Sequence, residues 1–273
     1  NLRDTSIDNI GMNDFSTYHL DKLESIDFSD NSISDIGIEA LALSNVFPNI
    51  NQLILNNNHI GDDGIYALCQ SEMFCNLESL FLANNDLTTD SAISVSKSDT
   101  LTKLKTLDFN NNDIRSEGTK ALSESTNLKS IEYLDLGENN LGAEGAKSIA
   151  TSPYIKTLKF LRLNNNNIKD AGVTVMAKSN NFKYLEILYL ENENWIHSEG
   201  AKALAMSEAF PRLRQLVLTL NVIGDEGAFY LAEAKSFKSL EQLNVAGNKI
   251  TPRGEDALKN STYLQHIKTL ELV

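Results

Sequence analysis

Four histidines and two cysteines are the side chains best able to do nucleophilic, acid–base or metal chemistry in this 273-residue chain, and their placement supports none of these. No hydrogen-bonded partner can be named for His19, His59, His197 or His266, so all four read as surface or turn residues. Cys69 and Cys75 are too few for a disulfide framework or a four-cysteine zinc site, and read as reduced packing cysteines. Gly137, Gly142 and Gly145 match neither a dinucleotide fingerprint nor a Walker loop. Asp62 and Asp63 hint at calcium, yet no liganding loop surrounds them. Asn260-Ser261-Thr262 is a glycosylation sequon by pattern, coincidental in so Asn-rich a chain. The sequence predicts no catalytic residue, no metal and no cofactor.

The bulk composition narrows the classes further. With 37 acidic and 24 basic side chains the net charge is −13, which argues against nucleic acid and anionic membrane as partners. No stretch approaches the ~20 apolar residues of a membrane span, and no apolar segment after a basic start marks a secretory signal. Two cysteines without a framework fit a reducing compartment, so the expected location is cytoplasmic. What stands out is 38 Leu beside 31 Asn, about a quarter of the chain.

Those two residue types are columns of one repeat. Asn31, Asn58, Asn85, Asn112, Asn139 and Asn166 recur every 27 residues, and the frame is expected to continue through Glu193 to Asn221 and Asn248. Each anchor ends a run such as Leu104-Lys105-Thr106-Leu107-Asp108-Phe109-Asn110-Asn111-Asn112, in which Leu107 and Phe109 alternate with the period of a strand. A helical stretch follows, opened here by Gly118 with Ala121 and Leu122 at i+3 and i+4. Residues 1–22 fit as a truncated first repeat, with Leu2, Thr5, Ile7 and Gly11 in the slots of Phe28, Asn31, Ile33 and Gly37, and residues 267–273 supply a last strand. No linker interrupts the frame, so residues 1–273 are expected to form a single domain.

A parallel neighbour one repeat away is reached through a crossover, here the helix. Strands stack at ~4.8 Å whereas helices need roughly 8–10 Å, so the array is expected to curve with strands inside. The fold class is therefore α/β, a horseshoe solenoid of about ten repeats of 27–28 residues, strands concave and helices convex. Buried Asn amides would satisfy turn groups that no sheet partner reaches. At one strand step per repeat, His59 and His197 lie roughly 25 Å apart, too far to share a metal or a proton.

These columns resemble the leucine-rich repeat family over nearly the whole chain, in its ribonuclease-inhibitor-like class with a helix on the convex side. Gly200-Ala201-Lys202-Ala203-Leu204-Ala205 also resembles the GALA-type repeats of bacterial effectors, with looser copies at Gly37, Gly118 and Gly145. The resemblance implies a non-enzymatic module that grips a folded partner in its concave face and inhibits it by covering its active site, in the bacterial or host cytosol. It also implies two alternatives. One is substrate recognition in an F-box ubiquitin-ligase adaptor, although residues 1–30 do not resemble an F-box; the other is GTPase activation, as in the similar Ran GTPase-activating proteins.

Variation within the repeat points to the binding residues. The slot between the two core positions of successive strands holds Asp27, Ile54, Phe81, Asp108, Asp135, Arg162, Tyr189, Val217, Asn244 and Glu271. Two residues earlier come Ser25, Gln52, Ser79, Thr106, Tyr133, Phe160, Ile187, Gln215, Gln242 and Thr269. Solvent-facing slots without a partner are expected to be polar, yet Phe81, Tyr133, Phe160, Ile187, Tyr189 and Val217 are apolar or aromatic, with Arg162 among them. Asp27, Asp108, Asp135, Glu138, Glu191 and Glu193 are expected to add an acidic rim, which favours a protein partner with basic residues at the contact. One repeat carries an extra residue in Glu191-Asn192-Glu193-Asn194-Trp195-Ile196-His197, and its Trp195 is the expected rim anchor. The protein is expected to be monomeric until a partner binds.

Overall fold

A computed structural model describes residues 1–272. The chain packs as two compact units that meet in sequence between Asp135 and Leu136. The first contains α1 Asn9–Phe15, β1 Ser25–Asp27, α2 Asp35–Ala42, β2 Gln52–Ile54, α3 Asp62–Gln70, β3 Ser79–Phe81, α4 Thr89–Lys97, β4 Thr106–Asp108, α5 Arg115–Ser123 and β5 Tyr133–Asp135. The second contains α6 Gly142–Ala150, β6 Phe160–Arg162, α7 Lys169–Met176, β7 Ile187–Tyr189, α8 Ser198–Ala205, β8 Gln215–Val217, α9 Gly224–Ala232, β9 Gln242–Asn244, α10 Pro252–Lys259 and β10 Thr269–Glu271. The truncated first repeat thus carries a helix of its own, and the last strand occupies the middle of the expected 267–273 segment. Val273 lies outside the described residues.

Within each unit the strands are parallel and ordered as in sequence, in the register that the repeat predicts. Ser25, Gln52, Ser79, Thr106 and Tyr133 pair in succession, as do Phe160, Ile187, Gln215, Gln242 and Thr269. This is the α/β repeat architecture expected. Helices of seven to nine residues are too short to persist alone, so their apolar faces must be held by packing. Leu53, Leu55, Leu80, Leu82, Leu107 and Phe109 in the first unit are fully buried, as are Leu161, Leu163, Leu188, Leu190, Leu216 and Leu218 in the second. Each contributes about 1.5–3 kcal/mol by leaving water.

The asparagine column does the work anticipated for it. Asn58 accepts from the Ile33 N–H at 3.0 Å and donates to the carbonyls of Phe28 and Leu55, both at 3.1 Å, so one amide ties two turns together. Asn166 accepts from the N–H groups of Asn139 and Leu141 and donates to the carbonyls of Leu136 and Asn164. The slot assigned to Glu193 belongs instead to Asn194. Its amide accepts from Asn166 and Ile168 N–H at 3.1 and 3.2 Å and donates to the Leu163 carbonyl at 2.8 Å. A carboxylate has no donor for that carbonyl, so the chain shifts by one residue to put an amide there.

Helix entry takes two forms. Asp35 Oδ1 accepts from the N–H groups of Gly61 and Gly64 at 2.7 and 2.9 Å, capping the helix of the following repeat. Asp62 does so for Thr88 and Ser91, Asp170 for His197 and Gly200, and Asp225 for Thr251. These entries have extended N-caps. Where the equivalent residue of the preceding repeat is Thr89, Ala143 or Ser198, the next helix begins with a left-handed residue instead, Arg115 at φ 57°, Lys169 at φ 58° and Gly224 at φ 63°. Gly200 shows why the capped form needs small residues: a Cβ there would lie 2.6 Å from the capping Asp170 oxygen.

Candidate functional site

The side chains that chemistry would need remain apart. Among the described residues, no group of three or more His, Cys, Asp or Glu is placed to hold a metal ion. His59 lies 3.9 Å from Asp86, His197 3.4 Å from the helix-capping Asp170, and the His266 ring is bonded to the Phe237 carbonyl. Burial pushes the Cys69 thiol up to about 12, against a lowering hydrogen bond from Ser98, so it is an inert packing group. Asp62 is committed to helix capping. Burial raises its pKa, but hydrogen bonds from the Ser91 and Thr88 side chains and backbone prevail and hold it below the usual aspartate range.

The strand face of the second unit is built differently. Phe160 and Tyr189 stand in neighbouring strands with ring centroids 5.6 Å apart. The Arg162 guanidinium lies 4.6 Å from the Tyr189 ring centre and 5.4 Å from that of Phe160. Gln215 donates to the Tyr189 hydroxyl at 3.1 Å, fixing the ring from the next strand. Phe160, Arg162, Ile187 and Tyr189 are half-buried against one another, whereas Val217 is buried with 6% of its surface exposed. The expected patch is thus a packed, partly covered surface rather than a row of free side chains. Glu191 follows at the end of the β7 row. Burial pushes its carboxyl up, opposed by the Arg162 charge.

Next to it the inserted residue reshapes the turn. Asn192, Glu193 and Trp195 all adopt positive φ, at 52°, 43° and 52°. Asn140, Asn167 and Lys249 hold the left-handed slot of Trp195 in other repeats. A bulky residue there is strained by roughly 1–2 kcal/mol. Trp195 is nevertheless half exposed, so it does not fold back over the core.

The first unit presents another kind of face. Ser25 bonds to Gln52 across β1 and β2, and Asp27 and Asp108 accept from the N–H two residues on, in Ser29 and Asn110. Asp108 and Asp135 are only 9% and 1% exposed, so neither forms a solvent rim. Phe81 and Tyr133 are half-buried on this unit's strands. The charge divides just as sharply, with 22 acidic against 8 basic side chains up to Asp135, and 15 against 16 from Leu136 onward.

The Leucine Rich repeat family profile matches residues 19–42, 48–69, 100–123, 127–150, 154–177, 212–232 and 238–258, more than half of the chain. The chain belongs to the leucine-rich repeat family. Leucine-rich repeats generally serve protein–protein interaction, and the proteins built from them are typically non-enzymatic modules. No curated protein matches the sequence. Similar solved structures include an LRR protein of Leptospira interrogans, at TM-score 0.53 and 20% identity over 92% of this chain and 67% of that one. A TDR receptor is similar at TM-score 0.50 and 17% identity, over 92% and 43% of the two chains. TLR13 in its complex with ssRNA13 gives 0.55 and 18%, over 93% and 36%. The chain therefore spans less than half the length of both receptors, and at these identities the likeness is one of fold.

Sequence reasoning missed two leucine-rich repeat devices. The Asp helix caps reach 26 to 30 residues along the chain. A serine column closes the helix C-termini, with Ser71 donating to the Ala42 carbonyl, Ser125 to Ser96 and Ser207 to Ala177 at 2.6–2.7 Å. Both were visible as repeated letters, and only their bonding was not. Among the described residues, no helix is long and apolar enough to cross a membrane.

Proposed function

We propose that this leucine-rich repeat protein is a non-enzymatic binding module whose contact centre is the strand face of the second unit. The observation that carries this is the Phe160–Arg162–Tyr189 stack, two aromatic rings and a guanidinium held together on the strand face. Side chains that are already ordered lose little entropy on binding, and Tyr and Arg are the residue types that dominate interface energies. Ile187 and Val217 extend the apolar centre. Glu191, Glu193 and Trp195 border it at the turn side, where a basic contact on the partner is favoured. In the first unit Phe81 and Tyr133 are half-buried strand-face residues that would make a separate, smaller contact, whereas Asp108 and Asp135 are too buried to meet a partner.

The one-helix repeat supports placing the chain in the ribonuclease-inhibitor-like class, and with it the idea that binding blocks a partner enzyme by covering its active site. The GALA-like helix at Gly200 supports an effector role in a host cytosol, and the free thiols Cys69 and Cys75 fit such a reducing compartment. The test is pull-down with mass spectrometry, comparing the native chain with Phe160→Ala/Tyr189→Ala and with the helix-side variant Tyr66→Ala. A protein captured by the native chain and Tyr66→Ala but lost by the double variant supports the face. Equal capture by all three overturns it.

A further inference from the structure

The second unit also carries a basic recess that the aromatic face does not use. In the first unit the segments leading from each helix to the next strand (16–24, 43–51, 71–78, 98–105 and 124–132) hold four Lys or Arg against seven Asp or Glu. The same segments of the second unit (151–159, 177–186, 206–214, 233–241 and 260–268) hold nine against four. Position in the repeat is identical, so repeat architecture does not require the reversal.

The cations converge. A recess of ≈ 610 Å³ is lined by Arg212, Arg214, Lys238 and Lys268 with His266, against the acids Glu186 and Glu241. Glu241 is consumed internally, by Lys268 at 2.6 Å and Arg214 at 3.5 Å. Its pKa is lowered, first by the Lys268 hydrogen bond, so it stays ionised and holds both cations in place. Arg212 stacks on Tyr184 at 4.9 Å, and neither it nor Lys238 has a carboxylate partner among the described residues. With a screening length of about 8 Å at physiological ionic strength, this local excess governs what approaches the recess, despite the chain's overall −13.

We infer that this recess is a docking site for an acidic peptide segment of a partner protein, whose carboxylates pair with Arg212 and Lys238. A nucleic acid fits less well, because a continuous phosphate strand would also meet Glu186 and Glu241 of the same lining, whereas spaced carboxylates in a peptide need not. Glu186 and Arg214 immediately precede Ile187 and Gln215 of the strand face, so one partner can engage both surfaces. The inference does not depend on the aromatic face being an interface.

The experiment is fluorescence anisotropy with a short labelled oligoglutamate peptide at low and physiological salt. The native chain should bind it with an affinity that falls as salt rises. Arg212→Glu/Lys238→Glu should weaken it about tenfold or more, and Lys103→Glu, in the corresponding segment of the first unit, should leave it unchanged. Phe160→Ala/Tyr189→Ala should also leave it unchanged, which separates this site from the strand face. Equal binding by the Arg212/Lys238 double variant overturns the inference. So does tighter binding of a single-stranded RNA or of phosphatidylserine vesicles than of the peptide under the same conditions. Matching thermal melts of the variants establish that charge, and not unfolding, is being read.

Discussion

The two units use one scaffold and differ in what they lay over it. Both stack the same Leu columns and the same asparagine ladder, yet the first has a net charge of −14 and a strand face on which Phe81 and Tyr133 stand among Ser, Gln and Asp, whereas the second is at +1 and carries the aromatic–guanidinium stack, the inserted turn and the basic recess. A net charge of −13 is therefore an average over two unlike surfaces. Used as an argument against anionic partners it applies to the first unit and fails for the second, where the charge that a ligand meets is set within a Debye length. The comparison also separates constraint from choice. Residues that recur in both units are explained by packing and hydrogen bonding, and residues that appear in only one need a reason outside the fold.

The shared scaffold should fail equally in either unit. Asn166 is 1% exposed and Asn58 5%, and each amide satisfies backbone groups of two repeats. Replacing either by Ala strands several buried donors and acceptors at about 1–3 kcal/mol apiece, so each variant should lose about 3–5 kcal/mol. Urea unfolding measures it. A loss in one unit that exceeds the other by more than about 2 kcal/mol would show that the ladder is not common ground.

The strand faces should differ where the scaffold does not. Tyr189→Ala or Phe160→Ala should weaken a strand-face partner by about 2 kcal/mol, near thirtyfold, whereas Gln52→Ala or Ser79→Ala in the first unit should change affinity by less than about twofold. Isothermal titration reads both. Similar losses from the two faces would break the comparison, and the second unit would have no claim to be the contact centre.

The helix entries offer a finer contrast. Asp62→Ala removes the acceptor for Thr88 and Ser91 and should destabilise by about 1–2 kcal/mol. The Asp62 pKa is lowered in the folded chain, so its contribution is fully present above the ordinary aspartate range and fades as pH falls through the lower folded value. The difference in stability between native chain and variant should therefore shrink on acidification. Glu191 has the opposite sign: its pKa is raised, first by burial, so its carboxylate opposes folding at neutral pH. Glu191→Gln should bring a small stabilisation near neutral pH that vanishes once the native carboxyl is protonated. Denaturation midpoints across the acid range check both directions.

Much of this was legible because the chain repeats. A strict period with alternating Leu fixes strands, register and the face of every strand residue, and Asn58 or Asn112 needs only its amide chemistry to be placed. A count of 27 residues puts Glu193 in the asparagine column, whereas bonding puts Asn194 there, because a carboxylate cannot donate to the Leu163 carbonyl as the Asn194 amide does. Alternation gives the face of Asp135 and Val217 but not what lies over it, so their burial was not readable. Asp35 and Asp62 look like ordinary first-turn acids, whose partners belong to the next repeat and become evident only when the repeats are stacked.

The smallest effect probes why one fold tolerates two helix entries. Lys169 opens α7 at φ 58°, where a side chain is strained by roughly 1–2 kcal/mol, whereas Gly224 meets the same demand in α9 without that penalty. The Lys169 N–H still donates to the Asn194 carbonyl at 2.8 Å, so the geometry is kept by the ladder and not by the side chain. Lys169→Gly should therefore stabilise by up to about 1 kcal/mol, the relieved strain being partly offset by the greater freedom of glycine in the unfolded chain. Gly224→Ala should destabilise by a similar amount. Both follow from paired unfolding curves. If Lys169→Gly destabilises instead, the left-handed entry is held by contacts of the lysine stem, and the absence of a capping Asp before it is not what selects that conformation.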